Sequence, residues 1–187
     1  MKIPFHKPIF PNSVDKILSD SISSGWVTTG PKVKLFEEQI SNYLSAKNTV
    51  ALNSCTAALH LALAAKGLGP RDKYIAPTYT FVATIEVGEY LGAKPILVDI
   101  DPQTFNLDLN QVEDKLRDNP EIKAIIPVHF GGQSVEIEKV IDLANKYNLF
   151  VLEDAAHSFE TVSNNKIFLN RDHAIALSFY ANKNITT

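Results

Sequence analysis

Cysteine is almost missing from this chain: Cys55 stands alone among 187 residues. That excludes an intrachain disulfide and suits a reducing compartment. Long apolar runs are missing too. None approaches the roughly 20 residues that cross a bilayer. The first residues, MKIPFHKPIFPNS, have no apolar core of the kind a signal peptide needs. A basic excess is also lacking: 18 Lys and Arg face 21 Asp and Glu, for a net charge of -3. Such a balance gives no footprint for nucleic acid. No lysine stands in a Walker A pattern, and no G-x-G-x-x-G follows an apolar run. The expectation is a soluble, cytoplasmic protein with neither membrane nor nucleic acid as partner. What is present is ordinary globular material, 45% apolar and 21% charged. A chain of this length buries roughly 70% of its unfolded surface on folding.

Residues 1–30 read as an irregular arm with Pro4, Pro8 and Pro11 and a short helix over 13–23. PKVKLFEEQISNYLSA then reads as a helix, with Pro31 in its first turn and Val33, Phe36, Ile40, Tyr43 and Leu44 on one face. From residue 48 short apolar runs alternate with helical patterns. TVALN, KYIAP, PILVDI, IKAIIPV, LFVLED and HAIALSF are expected strands. Between them CTAALHLALAAKGLG, FVATIEVGEYLG, NLDLNQVEDKLRDNP and SVEIEKVIDLANKYN are expected helices. The strands are apolar on both faces, so the fold class is α/β, a mainly parallel sheet flanked by helices. Two units follow: the arm, 1–30, and an α/β unit, 31–187.

In such sheets ligands sit beyond the carboxyl ends of the strands. The residues there are NSCT at 53–56, PTYTF at 77–81, VDID at 98–101, PVHFGG at 127–132, EDAAH at 153–157 and SFYANK at 178–183. They are expected on one rim. NSCT leads into a helix whose first amides and positive dipole end suit an anion, with Ser54 or Thr56 adding a hydroxyl. A plain N-cap explains the same residues. Glu153 and Asp154 point opposite ways by the two-residue period. A buried acid there needs a cation or a strong donor, although a structural ion pair would satisfy it as well. His157 alone reads as a cap or a surface residue. Lys183 alone reads as a solvated charge. Together, an amine, an acid and a phosphate cradle on one rim meet the needs of pyridoxal phosphate.

In combination, NSCTAALHLAL, APTYTFVAT, PVHFGG, EDAAHS and SFYANKNITT resemble the DegT/DnrJ/EryC1/StrS sugar aminotransferases, within the fold type I pyridoxal phosphate enzymes. The resemblance runs from GWVTTGPKVKLFEE to the last residue. By position it implies that Lys183 forms the Schiff base with pyridoxal 5'-phosphate and that Asp154 partners the pyridinium nitrogen. It implies phosphate contacts from Cys55, Thr56 and Ser178, ring stacking from Phe81, and His157 near the ring oxygen. Thr28 and Thr29 resemble the substrate loop of the arm. It further implies a nucleotide-linked keto-sugar as substrate, glutamate as amino donor, no metal, and a homodimer.

Two features depart from the family pattern. The stretch FETVSNNKIFLNRDH has no glycine where many relatives are glycine-rich. Relatives also continue into an antiparallel strand, which inserts between TVALN and HAIALSF, and then into a small C-terminal domain. The α/β unit is therefore expected to be incomplete, and residues 1–187 alone to fold poorly or aggregate. Two other readings stay open on the sequence: an inactive or split-enzyme fragment acting through a partner chain, and a plain ligand-binding domain whose Lys183 is a surface residue.

Overall fold

A computed structural model describes residues 2–4, 6–163, 166–167 and 173–187. The arm carries α1 (Val14–Ser23), whose Val14, Ile17, Leu18 and Ile22 recur at helical spacing, yet it buries none of its residues. α2 (Pro31–Leu44) starts on the fixed φ of Pro31 and stops where Ser45 turns left-handed, at φ 53°. It buries Ile40 and Leu44. α3 (Cys55–Ala65) is capped by Ser54, whose hydroxyl accepts from the Ala57 amide at 3.0 Å. Gly67, at φ 84°, lets the chain leave that helix, and the Leu68 amide closes back on the Leu63 carbonyl.

The rest alternates as the apolar pattern demands. β1 (Lys73–Pro77), α4 (Ala83–Glu89), β2 (Lys94–Val98), α5 (Leu109–Asp118), β3 (Ile122–Ile125), a short turn of 3-10 helix over Phe130–Gly132, α6 (Ile137–Tyr147) and β4 (Phe150–Ala155) follow in order. An antiparallel pair of two-residue strands, β5 (Val162–Ser163) and β6 (Lys166–Ile167), precedes β7 (Ala174–Leu177). The main sheet has the order β2-β1-β3-β4-β7, with every pair parallel.

Helices cover both faces. Ile40, Leu44, Ile75, Val112, Leu116, Val140, Val151 and Ala155 form one core with α2, α5 and α6. Leu59, Leu63, Tyr74, Ala76, Val87, Leu152 and Ala176 form the other, against α3 and α4. Along β4 the residues alternate between the two cores. Glu153 therefore falls on the side of Val151 and Ala155, and Asp154 on the side of Leu152. Each large aliphatic side chain taken from water in these cores stabilises the fold by about 1.5–3 kcal/mol.

Three boundaries differ from the sequence reading. TVALN is not a strand. Val50 and Leu52 are exposed there, and among the described residues no strand pairs with the segment. A run of strand-forming residues is no strand without a neighbouring ladder. β2 stops at Val98, where the chain turns through Asp99. β3 stops at Ile125, although an isolated bridge from Val128 to Asp154 continues its direction. Pro127 has no amide to give the ladder, and only its carbonyl takes part, accepting from Asp154. The glycine-free stretch 159–173 lies partly outside the described residues.

Candidate active site

The rim gathers because each strand ends at the same edge of the sheet. The Thr78 hydroxyl, after β1, donates to Asp99, after β2, at 3.0 Å. The His129 amide, after β3, donates to the Asp154 carbonyl at the end of β4. Gly132, at φ 88°, lets its backbone come so near the His157 carbonyl that a Cβ there would sit 3.0 Å from that oxygen. It thus holds PVHFGG against EDAAH.

Asp154 is buried, with 6% of its surface exposed. Its Oδ2 accepts from the Thr84 hydroxyl at 2.7 Å and its Oδ1 from the Ala156 amide at 3.2 Å. Lys183 reaches His157, with Nζ 2.8 Å from Nε2. With the Lys183 ammonium donating, His157 is a neutral acceptor whose own proton sits on Nδ1. Burial, then the Lys183 charge, pull the His157 pKa below its ordinary value, against the opposing charge of Asp154. Cys55 stands at the first position of α3, where a helix start ordinarily makes a thiol more acidic. Here burial and the Asp154 charge win over the charge of Lys183, and the thiol is pushed up to about 12. It stays protonated and uncharged at neutral pH.

Cys55, Asp154, His157 and Lys183 thus act on one another. Ser54 spends its hydroxyl on the cap, as the N-cap reading of NSCT has it. Cys55 and Thr56 keep amides with no carbonyl one helical turn earlier to reach. Ser178 is buried beyond β7, and its Oγ accepts from the Tyr180 amide at 3.4 Å. Phe81 is 76% exposed in the turn before α4. Thr28 and Thr29 are exposed in the arm. Among the described residues no hydrogen bond joins them to the cluster, and the Thr29 carbonyl instead accepts from the Trp26 indole at 2.9 Å.

Sequence reasoning assigned nothing to Thr84 or to the group behind the rim. Thr84 lies inside APTYTFVAT, and its four-residue spacing from Thr80 on a helical path was the available signal. Behind Asp154, Glu153 is fully buried and binds two histidines. His129 Nε2 is 2.6 Å from Oε2, and His173 Nε2 meets Oε1. His129 Nδ1 accepts from the Val135 amide at 3.1 Å, so its Nε2–H donates to the carboxylate. The need of a buried acid for strong donors was foreseeable, but not which residues would meet it.

Comparisons with known proteins agree on one family. The model of the DegT/DnrJ/EryC1/StrS aminotransferase family matches residues 11–187. The spore coat polysaccharide biosynthesis protein SpsC of Bacillus subtilis is 41% identical over 185 residues, 99% of this chain and 47% of SpsC. A UDP-4-amino-4-deoxy-L-arabinose–oxoglutarate aminotransferase of Shewanella sediminis is 35% identical, with the same 99% and 47% covered. Spr1654 of Streptococcus pneumoniae, assigned as a sugar aminotransferase and solved in its pyridoxal phosphate form, superposes with a TM-score of 0.87 at 31% identity. The match covers 100% of this chain and 51% of Spr1654. This chain spans about half the length of the curated relatives it matches. No helix among the described residues is long and apolar enough to cross a membrane. Motifs, sheet and relatives converge, and the chain belongs to the DegT/DnrJ/EryC1/StrS aminotransferase family.

Proposed function

We propose that this chain is the cofactor-binding part of a pyridoxal phosphate-dependent aminotransferase that moves an amino group from glutamate to a nucleotide-linked keto-sugar. The observation that carries the reading is that one amine, Lys183, and one buried carboxylate, Asp154, both act on Cys55 at the start of α3, with Lys183 held by His157. Residues 31–187 hold the cofactor. The arm, 1–30, brings Thr28 and Thr29 to the sugar. The enzyme works as a homodimer, and the apolar side chains left exposed along the arm, Ile9, Ile22 and Val27 among them, support a second copy covering them.

The donor set fits the cofactor. Each oxygen of Asp154 holds one bond and can accept another, which leaves room for a ring N–H. The amides of Cys55 and Thr56, with the Thr56 and Ser178 hydroxyls, suit a phosphate. The exposed ring of Phe81 offers a face for stacking. When bound, pyridoxal phosphate supplies an aldehyde that takes up amines and a ring that accepts an electron pair.

The rest falls to the chain. Lys183 holds and passes the proton at Nζ. His157, kept neutral, directs that Nζ by accepting from it. Asp154 keeps a proton on the ring nitrogen. Cys55, kept as a thiol, places no second anion beside the phosphate.

The test uses the intact protein with pyridoxal phosphate, borohydride and peptide mapping. The cofactor is expected to become fixed to Lys183. Lys183→Ala is expected to lose both that label and amino transfer from glutamate, read as 2-oxoglutarate formed, while its melting temperature stays near wild type. Amino transfer by Lys183→Ala at a near-normal rate would overturn the assignment.

A further inference from the structure

We propose that Thr80 and Thr84 form a one-way hydroxyl chain that positions the Asp154 carboxylate, making Thr84 a positioning residue for the site. An ionised carboxylate accepts hydrogen bonds and donates none. The contact of 2.7 Å between Thr84 Oγ1 and Asp154 Oδ2 is therefore a donation from Thr84. A hydroxyl has one hydrogen, and Thr84 has given it away. In the contact of 2.8 Å between Thr80 Oγ1 and Thr84 Oγ1, Thr80 must then be the donor. With Asp154 as a carboxylate, the direction Thr80 to Thr84 to Asp154 follows from valence. Aligned hydroxyls polarise one another, and a donor that is itself accepting a bond gives a stronger bond to the anion.

The chain is built rather than accidental. Thr84 has none of its surface exposed and Asp154 has 6%, so neither can exchange its partner for bulk water. Thr84 is the second residue of α4, and α4 is fixed to the sheet from below. The buried Tyr74 of β1 donates its hydroxyl to the Ile85 carbonyl, the residue after Thr84. The ring of Tyr74 also lies where Gly88 leaves space. On its other oxygen Asp154 accepts from the Ala156 amide. Two donors on two oxygens fix the plane of the carboxylate, which can still accept a third donor in one direction. Threonine suits position 84 because its β-branched side chain has few χ1 choices in a helix. A serine would keep the donor and lose the restriction.

This inference rests on the functional reading only for what the third donor is, and its first test does not involve the cofactor. The infrared antisymmetric carboxylate stretch of Asp154 is measured in the intact apo-protein, identified as the band that Asp154→Asn removes. Thr84→Val, which keeps the shape and drops the hydroxyl, is expected to shift that band. Thr84→Ser is expected to restore it, and Thr80→Val to move it the same way by less. A band that stays in place in Thr84→Val overturns the proposal whatever the enzyme does. If Thr84→Val does not fold, Thr80→Val and Thr84→Ser still decide: an unmoved band in Thr80→Val means that no chain exists.

The second arm uses the loaded enzyme. Thr84→Val is expected to lower kcat roughly tenfold to a hundredfold, the worth of one charge-assisted hydrogen bond, with KM for the sugar unchanged. An unchanged kcat overturns the positioning role. A shifted apo band in a protein that takes up no pyridoxal phosphate would support the chain and sink the functional reading instead.

Discussion

Side by side on β4, Glu153 and Asp154 show how one residue's neighbours decide its work. Asp154 faces hydroxyl and amide donors and keeps capacity for another. Glu153 faces two histidines and is closed off. Burial pushes the Glu153 carboxyl up, but the hydrogen bonds from His129 and His173 outweigh it and hold the group below the ordinary 4.5. A folded-state pKa below the unfolded one stabilises fully above 4.5, and that contribution is lost as pH falls from 4.5 through the folded value. Glu153→Gln is expected to cost about 1–3 kcal/mol, because its amide turns a donor toward a histidine that also donates. His129 cannot change tautomer to help, since its Nδ1 is committed to the Val135 amide. The measurement is a denaturant midpoint as a function of pH. The wild type is expected to weaken below 4.5, and Glu153→Gln to be weaker at neutral pH with a flatter slope in the acid range. Parallel curves would remove Glu153 as the acid-sensitive group.

At the scale of elements, the contact of β1 with α4 carries a constraint that no periodicity reveals. A Cβ at Gly88 would overlap the ring of Tyr74, which is wholly buried. Gly88→Ala raises helix propensity, yet it is expected to destabilise by about 1–3 kcal/mol through overpacking. A thermal melt checks the sign, and a stabilised variant would mean that the ring can move aside. The same contact shows where sequence reading succeeds and stops. β1 was legible residue for residue because KYIAP is short, apolar and bounded by turn residues. α2 and α3 were legible from Pro31, from Ser54 and from their apolar spacing. TVALN is as short and as apolar and failed, because a strand depends on a neighbour as well as on its own residues. Lys183 and Asp154 stood out in the sequence by their company, and the fold brings both charges to bear on Cys55. Thr84 did not stand out, since only a carboxylate 70 positions away makes it more than a helical threonine.

For the whole molecule, the sheet order puts β7 at one edge, with one strand partner among the described residues. β7 carries Ala174, Ile175, Ala176 and Leu177, without the charge or proline that usually guards a sheet edge. Near the same site chemistry, Val50, Leu52 and Tyr180 are exposed. Residues 1–187 expressed alone are expected to associate. Sedimentation velocity is expected to show species heavier than a monomer, and melting to lack a sharp transition. A monomer with a cooperative melt would show that this edge needs no cover.

The protonated thiol at the start of α3 makes the molecule its own stopwatch. An ordinary cysteine, with a pKa near 8.5, is partly thiolate at pH 8, whereas one held near 12 is thiolate in about one molecule in ten thousand. Alkylating reagents attack the thiolate. Cys55 is the only cysteine among these 187 residues, and alkylation of the peptide that carries it records how often the thiol leaves the surroundings that hold it protonated. Iodoacetamide labelling of Cys55 in the intact protein, read by peptide mass mapping, is expected to run about a thousandfold slower than in denaturant. Matching rates would mean that the thiol is not held as described. The clock needs no engineered probe, so each variant of the rim carries its own readout of how often the site opens.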